Sequence, residues 1–380
     1  MPDLCVLVKP ASSACNLHCR YCFYRDVSRS RENGFAGMLD DETAEILVKK
    51  ALGFAAGGNC SFLFQGGEPT LRGLEWFERF VSYEKKYTSP GTRVFNSIQT
   101  NGILLDDDWA DFLSKNAFLT GLSLDGTADI HNSNRCFPDE KGSFNRVIKA
   151  AETLRRHNAA FNILSVVTGQ SARNIEKIYN FFRRSGFDYL QFIPCLEPLG
   201  EERGKAPFAL TPPAYGDFLI RLFDLWYAEL TRGKYVSIRY FDNLMLMLAG
   251  RQPEACNMTG HCGLQFVAEG SGIIYPCDFY VLDGMELGNI KKDAFSDIIH
   301  SENAHSFIKS SLILPEDCKT CRWYGLCRNG CKRDRTEETG GKSCYCTAYQ
   351  TFFSKRINEL TAAARLIFRQ AAPPNPQAPN

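Results

Sequence analysis

Apolar positions in the first half of the chain fall into short runs that alternate with longer amphipathic stretches. Residues 4–8, 61–65, 93–99, 118–124, 161–168 and 189–193 are brief and rich in Val, Ile, Leu and Phe, which predicts buried strands. Between them, residues 41–54, 74–87, 106–115, 143–157 and 174–185 carry apolar residues at helical spacing, with Asp41 and Ser143 placed as N-caps. Such alternation predicts βα units and a parallel sheet. Six strands are too few to close an eight-stranded barrel. The pattern therefore predicts an open, partial barrel whose site lies at the C-terminal ends of its strands.

After about Pro194 the pattern changes. Residues 211–232 read as one long helix and 241–249 as a second. Residues 265–275 form two strand-like runs around Glu269-Gly-Ser-Gly272, which predicts a hairpin. Cysteines then crowd into 318–346 with little hydrophobic periodicity, and a region so poor in core needs an inorganic staple. Residues 347–369 read as a final helix. The Pro- and Asn-rich tail 371–380 is expected to be disordered. There is no internal repeat.

The 380 residues suffice for two or three domains, and 44% hydrophobic content allows a sizeable core. With 44 basic and 43 acidic residues the net charge is +1, which gives no reason to expect a nucleic acid or an anionic membrane as partner. No apolar run approaches the roughly 20 residues of a spanning helix. The start, MPDLCVLVKPASS, does not read as a signal peptide. Sixteen cysteines in a long chain, many two or three residues apart, predict metal ligands in a reducing cytoplasm rather than disulfides.

The first cluster is Cys15-Asn-Leu-His-Cys19-Arg-Tyr-Cys22, directly after the first strand. Three thiolates on one loop can hold three irons of a 4Fe–4S cluster and leave the fourth open. A zinc site would need four closed ligands, and His18, inside the loop beside Cys19, would strain a tetrahedron. Polar sets follow at later strand ends: Gly66-Gly67-Glu68-Pro69-Thr70, Gln99-Thr100-Asn101-Gly102, and Ser123-Leu124-Asp125-Gly126 with His131 and Arg135 shortly after.

These motifs together resemble the radical S-adenosylmethionine superfamily. The resemblance implies a TIM-like partial (β/α)6 barrel in which the Gly66–Gly67 turn holds the methionine amine of the cofactor by backbone groups. It also implies cofactor contacts for Tyr21, Glu68, Ser123, Asp125, Arg135 and Leu196. One electron from the cluster would break the sulfonium and release a 5′-deoxyadenosyl radical. Downstream, the cysteines resemble the SPASM extension, which carries two auxiliary 4Fe–4S clusters, making three in all. That pattern assigns Cys256, Cys262, Cys277 and Cys331 to the first, and Cys318, Cys321, Cys327 and a late cysteine to the second. Cys346 fits that last place better than Cys344. The alternative for this region is one or two structural zincs. Cys5 and Cys60, in or beside strands, are expected to be buried, and Cys136 and Cys195 are outside both patterns. The expected domains are 1–235 for the barrel and connecting helix, 236–370 for the SPASM domain with its hairpin and helices, and 371–380 for the tail.

Within the superfamily the chain resembles the anaerobic sulfatase-maturating enzymes. The stretches that carry this include Val6-Leu-Val-Lys-Pro-Ala-Ser-Ser13, Cys22-Phe-Tyr24, Phe64-Gln-Gly-Gly-Glu-Pro-Thr70, Asn96-Ser-Ile-Gln-Thr-Asn-Gly102, Val236-Ser-Ile-Arg-Tyr-Phe-Asp242 and Tyr275-Pro-Cys-Asp-Phe-Tyr280. The resemblance implies oxidation of a Cys or Ser in a C/S-x-P/A-x-R motif to Cα-formylglycine. An unfolded or nascent sulfatase polypeptide would be the substrate, and a flavodoxin or ferredoxin the electron donor. It implies Asp278 as general base, where an isolated aspartate would more often hold a loop N–H, and Tyr24 and Gln65 as peptide contacts. Arg239 is expected on a strand, where a structural ion pair is as natural a role as any other. A maturase that cross-links a ribosomal peptide is the alternative enzyme. Only 14 residues precede Cys15, which counts against the leader-binding domain such proteins often carry. A zinc-stabilised binding protein without catalysis is the alternative of another class.

Overall fold

The computed structural model describes residues 3–370. The chain forms two compact units. One runs up to Ser171 and includes Ile193–Ala209 and Gly263–Ser310; the other comprises Ala172–Phe192, Leu210–Cys262 and the chain from Ser311. The expected tail, 371–380, lies outside the described residues.

In the first unit, β1 (Leu4–Val8), β2 (Asn59–Phe64), β3 (Arg93–Thr100), β4 (Leu119–Ser123) and β5 (Phe161–Val167) pair in parallel, each with the next. The registers Val8↔Phe64, Phe64↔Ile98, Thr100↔Leu122 and Ser123↔Leu164 align their C-terminal ends, where the polar motifs begin. Next in the chain come β6 (Tyr189–Pro194) and β7 (Ser237–Ile238), which pair in parallel through Tyr189↔Ser237. The predicted hairpin is β8 (Val267–Ala268) and β9 (Ile273–Tyr275), followed by β10 (Gly288–Asn289) antiparallel to β9. The structure adds one feature: β8 pairs in parallel with β1 through Leu7↔Val267, so the hairpin extends the sheet of βα units. Among the described residues no ladder closes the sheet into a barrel.

Strand alternation sends Phe62 and Phe64 into the helix layer. There Phe64 meets Phe77 and Phe80, each at 4.9 Å, on helix Leu74–Tyr87. Cys60 shares that face and is buried. Cys5, expected to be buried, is exposed, because alternation turns it to the face opposite Leu4 and Val6. Helix Asp41–Phe54 is capped by Asp40, one residue before the expected Asp41, through a 2.7 Å bond from Thr43 N–H. Ser143 does precede helix Phe144–Arg156, yet its side chain makes no capping bond. Two short helices, Phe23–Arg29 and Ala128–Asn132, escape sequence reading because so few residues show no period.

In the second unit helix Pro212–Leu230, capped by Thr211, packs along helix Cys346–Gln370. Tyr215 meets Tyr345 at 4.7 Å and Phe223 meets Phe352 at 5.9 Å between ring centroids. Arg239, expected on a strand, opens helix Arg239–Leu248, since the strand ends at Ile238 and Phe241, Leu244 and Met245 bury one helical face. The cysteine-rich stretch holds two one-turn helices, Glu316–Lys319 and Tyr324–Cys327. Arg328, Asn329 and Gly330 follow in the left-handed region, with φ of 46°, 62° and 58°.

Candidate functional site

The first cysteine loop is stitched to its surroundings by backbone bonds. Gly67 N–H donates to Ser12 C=O at 2.9 Å and Glu68 N–H to Ala14 C=O at 2.8 Å. On the other side, His18 N–H donates to Cys136 C=O at 2.8 Å and Arg20 N–H to Asn134 C=O at 2.9 Å. The two glycines are required by this closeness. A Cβ on Gly67 would stand 1.9 Å from the Ala14 carbonyl oxygen, and Gly66 has φ +119°.

Cys15 Sγ accepts from Leu17 N–H at 3.4 Å and faces the Asn101 amide at 3.8 Å. Burial pushes the Cys15 thiol up to about 11. It pushes Cys19 up to about 12, where the Arg135 charge opposes it and the charges of Cys22 and Cys15 add to it. Three half-buried thiols on one loop, with N–H donors near the sulfurs of Cys15 and Cys19, are a donor set of the kind that suits an iron–sulfur cluster. Such thiols ionise when a cationic metal replaces the proton.

Glu68 is buried, and its carboxylate is taken by the protein. Oε1 accepts from Thr70 N–H at 3.1 Å, Thr70 Oγ1 at 2.7 Å and Thr100 Oγ1 at 2.7 Å, and Oε2 accepts from Asn101 N–H at 2.8 Å. It ties the end of β2 to the end of β3. Asp125 is likewise engaged: Oδ1 accepts from Val166 N–H at 2.9 Å, and Oδ2 from the Tyr21 hydroxyl and from Arg135 Nε at 3.1 Å. Ser123, at the end of β4, is buried. Tyr21, Cys22, Leu196 and Phe208 line one cavity of about 330 Å³.

A second polar group gathers Tyr24, Gln65 and Asp278. The Tyr24 hydroxyl stands 2.5 Å from Asp278 Oδ2 and 3.2 Å from Gln65 Oε1, and its single proton serves the nearer carboxylate. Asp278 therefore holds a side-chain hydroxyl, not a loop N–H. Its Oδ1 is buried and has no hydrogen-bond partner among the described residues. Burial raises its carboxyl to about 6, against the pull of the Lys9 charge and the Tyr24 bond.

Sequence reading missed what lies beneath this group. Lys9 Nζ bonds Glu269 Oε1 at 2.7 Å, Arg31 joins the same oxygen at 3.1 Å, and all three side chains are buried. Lys9 Nζ also lies 5.5 Å from the centre of the Tyr24 ring. A lysine after an apolar run and a glutamate in a hairpin were the only local signs.

In the second unit, burial pushes Cys331 up to about 12, with the charges of Cys256 and Cys262 among the causes. It pushes Cys327 equally high, with Cys346, Cys318 and Cys321 contributing. Cys346 is thus in the group of Cys318, Cys321 and Cys327; Cys344 N–H donates to Asp334 C=O at 2.8 Å. In the first unit, Cys277 directly precedes the turn Asp278–Tyr280. Among the described residues no helix is long and apolar enough to cross a membrane.

Comparison with known proteins adds to this geometry. The Radical SAM superfamily pattern matches residues 10–182, and SPASM, an iron–sulfur cluster-binding domain, matches residues 262–322. The chain is 45% identical over 374 residues to a cysteine-type anaerobic sulfatase-maturating enzyme of Clostridium novyi, covering 97% of this chain and 100% of the relative. It is 31% identical over 391 residues to a serine-type anaerobic sulfatase-maturating enzyme of Bacteroides thetaiotaomicron, covering 98% and 94%. A solved structure of native anSMEcpe with bound AdoMet and Cp18Cys peptide matches with a TM-score of 0.92 at 44% identity, covering 96% of this chain and 100% of that one.

Proposed function

The chain belongs to the anaerobic sulfatase-maturating enzymes of the radical S-adenosylmethionine superfamily, and from that premise we propose that it oxidises a cysteine in a sulfatase polypeptide to Cα-formylglycine. The cysteine preference rests on the closer likeness to the cysteine-type relative, 45% identical against 31% for the serine-type one. The target motif is C-x-P/A-x-R, presented by an unfolded or nascent chain. The one-electron donor is a flavodoxin or ferredoxin. Sixteen cysteines, many spaced as metal ligands rather than as disulfide partners, suit a reducing compartment, the cytoplasm.

Cys15, Cys19 and Cys22 hold the cluster that takes S-adenosylmethionine. The Gly66–Gly67 backbone, Tyr21, Ser123, Arg135 and Leu196 line the cofactor, while Glu68 and Asp125 act one step back by fixing the strand ends and Arg135. Cys318, Cys321, Cys327 and Cys346 hold one auxiliary cluster. The SPASM pattern assigns Cys256, Cys262, Cys277 and Cys331 to the other auxiliary 4Fe–4S cluster, and Cys277 directly precedes Asp278. When bound, the reduced cluster and S-adenosylmethionine supply a 5′-deoxyadenosyl radical that removes one Cβ hydrogen from the substrate.

The observation that carries the reading is the buried Asp278–Tyr24 pair at 2.5 Å. Tyr24 occupies one carboxylate oxygen and leaves Oδ1 to accept the substrate thiol proton. A carboxyl near 6 is ionised at neutral pH, yet basic enough to take that proton as the carbon is oxidised. Gln65 lies beside the pair, with Oε1 3.2 Å from the Tyr24 hydroxyl.

Anaerobic incubation of the holoenzyme with a C-x-P-x-R peptide, read by mass spectrometry, tests this. An aldehyde at the cysteine is the expected product, and a thioether or carbon–carbon link overturns the proposal. Asp278→Asn should keep deoxyadenosine release and lose aldehyde by about 10²-fold. Undiminished aldehyde from that variant removes Asp278 as the base.

A further inference from the structure

His131 is fully buried at 0% exposure, and the reaction as described does not use it. Its two nitrogens are committed in a definite sense. Asp125 N–H donates to Nδ1 at 3.3 Å, so Nδ1 carries no proton. Burial holds the ring down at about 4, which leaves it neutral at pH 7 with its proton on Nε2. That proton goes to Ser143 Oγ at 2.9 Å, and the Ser143 proton goes on to the Arg135 carbonyl at 2.9 Å. Arg135 N–H returns to the His131 carbonyl at 2.9 Å and closes the circuit.

Both ends of this chain bear on the groups beside Cys19. At one end is Asp125, whose carboxylate joins the Tyr21 hydroxyl to Arg135 Nε. At the other is Arg135, whose guanidinium lies 5.5 Å over the Tyr21 ring and 4.0 Å from Cys19 Sγ through Nη1. The Asp125–Arg135 pair is almost fully buried, with side chains 3% and 9% exposed. A buried ion pair stabilises little unless its geometry is held from outside.

The local sequence gives up something for this. Ser143 sits at the N-cap position of helix Phe144–Arg156, where a serine hydroxyl ordinarily accepts from a first-turn N–H. It is instead turned to His131. Asn132 supplies the cap in its place, accepting from Phe144 N–H at 3.0 Å. Gly142 makes room for Asn132, since a Cβ there would lie 2.2 Å from the Asn132 side chain. With Asn132 as the cap, the serine hydroxyl accepts from the imidazole and donates to the Arg135 carbonyl.

We propose that His131, locked between Asp125 N–H and Ser143, is a positioning residue that fixes the Asp125–Arg135 pair and so sets the guanidinium at Cys19 and the cofactor-facing Tyr21. This rests on the assignment of the Cys15–Cys22 loop to the S-adenosylmethionine cluster. Its effect is on cofactor binding and on the cluster's electronic environment, because hydrogen bonds to thiolate sulfur tune the potential of such clusters.

The test uses three variants of the anaerobically prepared holoenzyme: Ser143→Ala, His131→Asn and His131→Gln. The measurements are the S-adenosylmethionine dissociation constant and a potentiometric titration of the first cluster followed by electron paramagnetic resonance. His131→Asn keeps an acceptor for Asp125 N–H and cannot reach Ser143; His131→Gln places its amide nitrogen where Nε2 stands. Expected is about tenfold weaker cofactor binding in Ser143→Ala and His131→Asn, a shifted potential, and a smaller loss in His131→Gln. The peptide KM and the auxiliary-cluster signals stay as in the parent. Unchanged affinity and potential in Ser143→Ala and His131→Asn overturn the proposal. So does an equal loss in His131→Asn and His131→Gln with altered auxiliary signals, which assigns His131 a packing role. If His131 variants do not fold, Ser143→Ala decides alone. Deoxyadenosine release by the parent enzyme tests the underlying loop assignment separately.

Discussion

Cys15, Cys19 and Cys22 lie on a loop whose backbone is bonded to Gly67, Glu68, Asn134 and Cys136 in the turns beyond the strand ends, whereas Cys318, Cys321 and Cys327 lie in and between two four-residue helices. The first loop is held by a sheet whose strands exist without it. The second region has no such frame. A four-residue helix does not persist by its own hydrogen bonds, and three consecutive left-handed residues run against backbone preference. Asn329 and Arg335 brace the stretch: Asn329 bonds Gly341 C=O at 3.1 Å and Ser343 N–H at 2.8 Å, and Arg335 caps the Ser311 carbonyl at 2.6 Å. This difference predicts that the first set of thiols is arranged before metal arrives and that the second owes part of its fold to metal.

The largest expected effect strikes the prearranged loop. In Gly67→Ala the new methyl meets the Ala14 carbonyl, so deoxyadenosine release should fall by about 10²-fold while the strands remain folded. Gly53→Ala, where nothing lies within 4 Å, is the control and should be neutral or slightly stabilising. Full activity in Gly67→Ala would break the comparison on its first side.

Removal of iron by a chelator attacks the other side. Amides between Ser311 and Cys346 should lose about 10²-fold in hydrogen-exchange protection, while those of β2 and β3 keep theirs. Equal loss in both regions would mean that neither is arranged in advance. Smaller again is Asn329→Ala, which removes two hydrogen bonds and a residue suited to its left-handed site. It should cost about 2 kcal/mol and lower auxiliary iron content, measured by denaturant titration and iron analysis.

An effect that depends on pH lies away from both cysteine regions, in the helix layer of the first unit. Burial raises Glu84 to about 7, and its Oε1 is buried without a hydrogen-bond partner among the described residues. The folded state then binds this proton more tightly than the unfolded chain does. Its stabilising contribution is complete below about 4.5 and disappears as pH rises through 7. Glu84→Gln should therefore raise the melting temperature at pH 8, by a stabilisation of about 1–3 kcal/mol, and change little at pH 5. A pH-independent shift would contradict this.

Much of the site was legible because its chemistry is local. A C-x3-C-x2-C spacing specifies a donor set within eight residues, and a Gly-Gly turn after an apolar run specifies a close approach. The N-caps were misplaced by one residue at Asp40 and by a diverted hydroxyl at Ser143, since neighbouring oxygen-bearing residues look alike until one of them finds another partner. Cys5 was misjudged because a strand pattern reports alternation and not which face is covered.

Residue order along the chain thus established the kind of chemistry and the βα alternation, since spacing and period act over one loop or one turn. The joining of Lys9 to Glu269, 260 residues away, came only with folding, as did that of Tyr24 to Asp278 and of His131 to Ser143 in a fixed proton order. Hydrophobic period tells each element which side to bury. It holds no information about which distant polar groups will then be shut away together, and their pairing is settled by the cost of leaving any of them buried alone.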